Sequence, residues 1–140
     1  MNYLKEFEKI MLEQNEIALA TAVGNIPNVR IVNFYFDERK KSILYFSSFS
    51  DNEKIREFTE NPIVAFTTIP NGSTKHVRVQ KAKIQKSTFT IFDLKEEFST
   101  KIPEYSEIIE QAGSQLDLFE IHFSEATVII DFMHIEKINL

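Results

Sequence analysis

The chain has no cysteine and no tryptophan, only three glycines and four prolines, and no apolar run approaching the length of a membrane helix. Without cysteine there is no disulfide, no thiolate nucleophile and no cysteine-ligated metal, a usage that fits the cytoplasm. Three glycines leave little room for a glycine-rich phosphate cradle, and no GxSxG, GxGxxG or Walker pattern occurs. The longest apolar stretches, such as Thr127-Val128-Ile129-Ile130, fall far below the roughly 18 residues that a membrane span needs. The opening MNYLKEFEKI is too charged for a signal peptide. The expectation is a cytoplasmic protein with no membrane partner.

What is present suffices for a core. The sequence is 43% hydrophobic, with thirteen phenylalanines, and its 140 residues fit a single domain over 1–140. A chain of this size buries about 68–70% of its unfolded surface. The net charge of −5 works against a general nucleic-acid binder, whose footprint is usually basic. Lys75, Arg78, Lys81, Lys83 and Lys86 do cluster without an intervening acid. They read as a solvated strand face with one or two anion contacts.

Residues 3–14 place Leu4, Phe7, Ile10 and Met11 at helical spacing, with Asn2 as the N-cap. Strands are predicted over Ile17–Val23, Val29–Phe36, Ser42–Ser47, Ile63–Ile69, His76–Lys86, Leu116–Phe123 and Ala126–Phe132, followed by a polar tail to Leu140. A helix is predicted from about Asp51 to Thr59, stopped by Asn61-Pro62 because the residue before proline is pushed out of helical geometry. Thr90–Ala112 reads as helical, with a break at Pro103 as the first residue of a second helix. Six or seven antiparallel strands with a few short helices predict a mainly β fold. Closure into a small β-barrel with helical covers removes exposed sheet edges.

The stretch SSFSDNEKIR gathers hydroxyls at a strand end and a lysine in the first turn of the next helix. Ser50 and Glu53 fit a capping box. A helix N-terminus favours an anion, so Lys54 is misplaced there unless something negative sits nearby. A phosphate bonded by Ser47 or Ser48 and charge-paired with Lys54 resolves this; so does a solvated lysine balanced by Asp51 and Glu53. In NVRIVNFYF, alternation puts Arg30 on one face with Val32, Phe34 and Phe36. A guanidinium on an apolar face needs a partner, either a buried carboxylate or a ligand phosphate gripped in bidentate fashion. Arg78 poses the same problem beside His76 and Gln80. The three histidines show no paired metal spacing, and no carboxylate pair stands out for acid/base work.

Three segments carry a resemblance: IALATAVGNIPNVRIV after an opening amphipathic helix, then LYFSSFSDNEKIREFTENPIVAF, then VRVQKAKI. In order and spacing they resemble the pyridoxamine 5′-phosphate oxidase-like superfamily of FMN-binding split β-barrels, best over residues 1–88. The resemblance implies a homodimer with FMN at the subunit interface and a small-molecule substrate. Arg30 is implied to contact the FMN phosphate or ribityl chain, and the backbone of Ile31 and Val32 to face the flavin ring. Ser47 and Ser48 match hydroxyl-bearing positions, Lys54 matches the phosphate-binding lysine, and Gln80 is implied to reach the flavin edge from the other subunit. No catalytic side chain is implied.

Two departures accompany the resemblance. Lys81 stands where the family often has glycine. The arginine- and histidine-bearing C-terminal segment of a true pyridoxamine phosphate oxidase is missing, so the nearer comparison is with the short stress-protein and nitroreductase-like branches. The competing expectations are a non-catalytic binder of flavin, haem or a deazaflavin, and a cofactor-free dimeric interaction module.

Overall fold

The computed structural model describes residues 1–50 and 53–140, apart from the side chains of Glu53 and Lys54. Helix α1 runs over Tyr3–Glu13, and Asn2 caps it as its sequence suggests, its Oδ1 accepting the Lys5 N–H at 3.1 Å. Phe7, Ile10 and Met11 lie one turn apart, so one face is buried. Next come β1 (Glu16–Val23), β2 (Ile26–Asn33), β3 (Tyr35–Phe36), β4 (Ile43–Phe49) and α2 (Glu53–Glu60). They are followed by β5 (Ile63–Thr68), β6 (His76–Lys86), α3 (Lys95–Lys101), α4 (Tyr105–Ala112), β7 (Leu116–His122), β8 (Glu125–Asp131) and β9 (His134–Asn139).

The strands among the described residues number nine, not six or seven. The Val29–Phe36 strand divides, because the Phe34 N–H turns to the Asn15 carbonyl at 3.0 Å and β3 leaves β1 to pair with β4. The expected polar tail is strand β9, paired with β8 from Glu125↔Asn139 to Asp131↔His134. Its side chains are almost all exposed, so no apolar alternation marks it. The start of the Thr90–Ala112 segment is a turn closed by Thr90 and Asp93, each side chain accepting the other's backbone N–H, and α3 begins only at Lys95. Pro103 sits in the turn before α4 instead of opening it.

All pairings are antiparallel, in the order β2-β1-β5-β6-β7-β4-β3, with β8 on β6 and β9 on β8. Inward residues from both ends of this order meet in one core: Val32, Leu19, Phe66, Val79, Ile121, Phe46 and Phe36, with Val128 of β8 and Phe7 of α1. A sheet whose first and last strands feed one core has to roll up, and the result is a split barrel. Each such side chain contributes about 1.5–3 kcal/mol on burial. Phenylalanine fills the space that tryptophan does not: Phe46 lies 5.5 Å from Phe119 and 5.9 Å from Phe58, centroid to centroid. A second apolar cluster forms outside, where Phe98, Ile102, Tyr105 and Ile109 of the α3–α4 region cover Tyr45 and Leu118.

Strand β6 changes partner along its length. His76–Arg78 pair with β8, whereas Lys83–Lys86 pair with β7. Between them the ladder to β5 slips, so that Gln80 and Lys81 together oppose Ala65. Two residues against one is a β-bulge, which bends the strand. It also restores the alternation, since Val77 and Val79 face the core before it and Ala82 and Ile84 after it.

Candidate functional site

Arg30 points to the inward face, as alternation predicts, and its partner is a carboxylate. Its Nη2 donates to Glu57 Oε1 at 3.0 Å and its Nη1 to Thr21 Oγ1 at 3.1 Å. The Thr21 hydroxyl donates to Glu57 Oε2 at 2.5 Å, and Asn28 Nδ2 to Glu57 Oε1 at 3.2 Å. The Thr21 hydrogen bond, followed by those from Asn28 and Arg30, holds the Glu57 carboxyl below its usual range. The network ties α2 to the β1–β2 hairpin. A cleft of about 580 Å³ opens onto it, lined by Val23, Ile26, Pro27, Asn28, Arg56 and Glu60 besides Glu57.

Ser47 and Ser48, adjacent on β4, face opposite sides of the sheet. The Ser47 hydroxyl lies 3.2 Å from Tyr105 OH under α4. Ser48 is buried on the inward side, and its Oγ has no hydrogen-bond partner among the described residues. Such an orphan requires an explanation, because an unpaired buried hydroxyl costs about 1–3 kcal/mol. Ser50 donates its hydroxyl to the Gln115 carbonyl at 3.1 Å. Lys54, with Asp51, Asn52 and Glu53, lies outside the described residues as far as its side chain is concerned, and so does the Ser50–Glu53 capping box.

Val32 is buried in the core, whereas Ile31 is 61% exposed on the outer face. Ladder register links that face across six strands in a single row: Ile31, Ala18, Thr67, Arg78, Thr127 and Lys137. One end of the row is apolar, with Val29 64% exposed beside Ile31 and set against Ala20. The other end is cationic. Arg78 makes no ion pair among the described residues, and with Gln80, Lys81, Glu125, Thr127 and Lys137 it lines a cavity of about 150 Å³. Lys81 has φ +57°, a left-handed conformation that costs a side-chain-bearing residue roughly 1–2 kcal/mol.

The structure therefore gathers Arg30 with Glu57, sets Ile31 and Gln80 on one outer face, and separates the two serine hydroxyls. Sequence reasoning missed Glu57 and Thr21. A hydroxyl at an inward position of the apolar strand IALATAV was the available signal. Two other polar clusters carry different chemistry. Buried Glu120 accepts from Ser87 Oγ and from His122 Nε2, both at 2.7 Å. The acid lies between serine and histidine, so the imidazole cannot take the serine proton as it does in a hydrolase triad. Lys101 donates to the Met11 carbonyl at 3.1 Å, with Nζ 3.7 Å from the Phe34 ring centroid. Burial pushes its amine down to about 7. No cluster of three metal-ligating side chains occurs among the described residues. No helix among them is long and apolar enough to cross a membrane.

A family model described as pyridoxamine 5′-phosphate oxidase-like matches residues 10–133. No curated protein matches the sequence. Among solved structures, the general stress protein 26 of Bacillus anthracis aligns over 100% of both chains with a TM-score of 0.73 and 17% identity. A haem-binding protein of Mycobacterium smegmatis aligns over 99% of this chain with a TM-score of 0.79 and 10% identity; the chain spans 58% of its length. An FAD-binding protein of Mesorhizobium loti aligns over 91% of this chain and 92% of its own, with a TM-score of 0.67 and 18% identity. Identities this low speak for the fold alone.

Proposed function

Because the chain belongs to the pyridoxamine 5′-phosphate oxidase-like family, we propose that it is a homodimeric flavoprotein, with FMN as its flavin, acting as an oxidoreductase on a small molecule other than vitamin B6 phosphate. The observation that carries this reading is the outer face of β1 and β2. There Val29 and Ile31 stand exposed over a row of alanines, Ala18 and Ala20, whose small side chains leave a flat apolar surface. A flat ring system covered by a second copy of the chain removes that surface from water.

The residues fit the cofactor at two points. The orphaned Ser48 hydroxyl is a buried polar group that a ligand oxygen satisfies. Arg30 spends only two hydrogen bonds on Glu57 and Thr21, and a guanidinium can donate more. Glu57 holds Arg30 in place and competes with a phosphate for it, which tempers affinity for the anion. Lys54 and Gln80 complete the set, Lys54 as the phosphate's counter-charge and Gln80 from the partner subunit, while Ser47 is turned away under α4 to Tyr105. A bound flavin supplies the electron transfer, while this chain binds, orients and shields it from water.

The test is a visible spectrum of the purified protein after incubation with FMN and removal of free ligand, with mass spectrometry of whatever denaturation releases. A flavin spectrum, with about one FMN per chain by the one-site reading, is expected, together with a dimer by sedimentation. Ile31→Asp is expected to lose both. A colourless wild-type protein overturns the flavin reading.

One observation favours a second cofactor, haem. Asp131 accepts from His134 Nδ1 at 2.8 Å, which leaves Nε2 without a partner among the described residues, beside exposed Phe132 and Met133. A carboxylate on one ring nitrogen is how proteins orient an imidazole toward a metal. A Soret shift on adding haem, lost in His134→Ala, supports that reading; no shift refutes it.

A further inference from the structure

The outward face of β6, β8 and β9 holds a feature that the flavin reading does not use. Arg78, Thr127 and Lys137 are cross-strand neighbours in register, so two cations flank one hydroxyl, at strand spacings of about 4.8 Å. Lys81 joins them because the bulge turns it outward next to Gln80. Three cations and one carboxylate, Glu125, line the cavity, in a chain whose net charge is −5. None of the three cations makes an ion pair among the described residues.

The backbone adds an independent reason. Among the described residues, three have clearly positive φ: Gly24, Gly72 and Lys81. At the first two the chain uses glycine, which adopts that conformation freely. At the third it keeps a lysine in a strained conformation, on the wall of a cationic cavity. Strain of this kind persists where a side chain is needed.

We propose that Arg78, Lys81, Lys137 and Thr127 form a binding cradle for a phosphate group, with the Lys81 ammonium as its movable arm. At about 150 Å³ the cavity suits a headgroup and not a whole cofactor, which occupies several hundred. The phosphate is that of a small phosphate ester or of the flavin itself. The cradle does not depend on the flavin reading.

The experiment titrates wild type, Lys81→Gln, Lys81→Gly and the Arg78→Gln/Lys137→Gln double variant with inorganic phosphate at constant ionic strength, following the thermal midpoint and backbone amide NMR shifts. Wild type is expected to saturate, with shifts centred on residues 78–81, 127 and 137. Each variant is expected to bind at least tenfold more weakly. Lys81→Gln keeps a side chain at the bulge, so its loss reports charge, and Lys81→Gly relieves the strain, so its loss is not misfolding. Parallel titration with FMN and riboflavin identifies the source. A tenfold loss for FMN but not riboflavin in Lys81→Gln places the flavin phosphate in the cradle. Unchanged FMN binding with lost phosphate binding makes it a substrate subsite. Equal phosphate affinity in wild type and variants, or no saturable response, overturns the proposal.

Discussion

Replacing Lys101 with methionine removes an ammonium from a place where burial disfavours it. The amine falls from 10.5 to about 7 through desolvation, and at 1.36 kcal/mol per unit that sets a ceiling of roughly 5 kcal/mol. Two contacts resist it. The Phe34 ring 3.7 Å away favours the cation by about 0.5–2 kcal/mol, and so does the Met11 carbonyl that accepts its proton at 3.1 Å. The methionine variant should therefore be more stable than wild type at pH 7 by between about 1 and 4 kcal/mol, the ceiling less those two contacts, since methionine fills the same space without charge. The pH dependence separates this cause from packing. Above 10.5 the amine is neutral folded or unfolded. As pH falls from there to about 7, the unfolded chain takes a proton that the folded chain refuses, and wild type loses stability; below 7 the full penalty is present. Urea unfolding at fixed protein concentration, between pH 6.5 and 10, measures it. The variant's advantage should shrink as pH rises through that window. A constant difference across the range would refute the reasoning, by showing that ring and carbonyl keep the amine charged.

Lys81→Gly should raise stability by about 1 kcal/mol, because relief of the left-handed conformation exceeds the entropy that glycine adds to the unfolded chain; a lower melting temperature in calorimetry contradicts the bulge geometry. Glu57→Gln leaves Arg30 with a neutral partner and should cost about 1–3 kcal/mol at pH 7 by denaturant unfolding. Because Glu57 titrates below the usual carboxylate range, its contribution is complete at neutral pH and is lost as pH falls through that lowered value. The gap between wild type and Glu57→Gln should close in acid, and a gap that widens there rejects the network.

Much of this architecture is readable where a local signal and the tertiary fold agree. Asn2 and the apolar spacing through Met11 define α1 without help from elsewhere. The bulge in β6 goes unread, since His76–Lys86 reads as one unbroken strand; its trace is the apolar series Val77, Val79, which resumes out of phase at Ala82 and Ile84. Strand β9 is not legible, because its stability comes from backbone pairing with β8 and its side chains stay in water. At the site, the sequence exposes the need for a partner at Arg30. It does not identify the partner, because Glu57 lies twenty-seven residues away on another element and reaches Arg30 only once α2 has docked.

The shared edge of β6 has a consequence for synthesis. One side of this strand waits for two partners, and Asp131, the last residue of the second, emerges some 45 residues after Lys86. At typical translation rates of about 5–20 residues per second, that edge stands open for roughly 2–9 s. An open, β-prone edge recruits other chains. The waiting strand carries Arg78, Lys81 and Lys83 on its outward side, so neighbouring nascent chains repel one another while the edge is bare. Two of the cations that line the finished cavity, Arg78 and Lys81, thus guard the strand before the barrel closes.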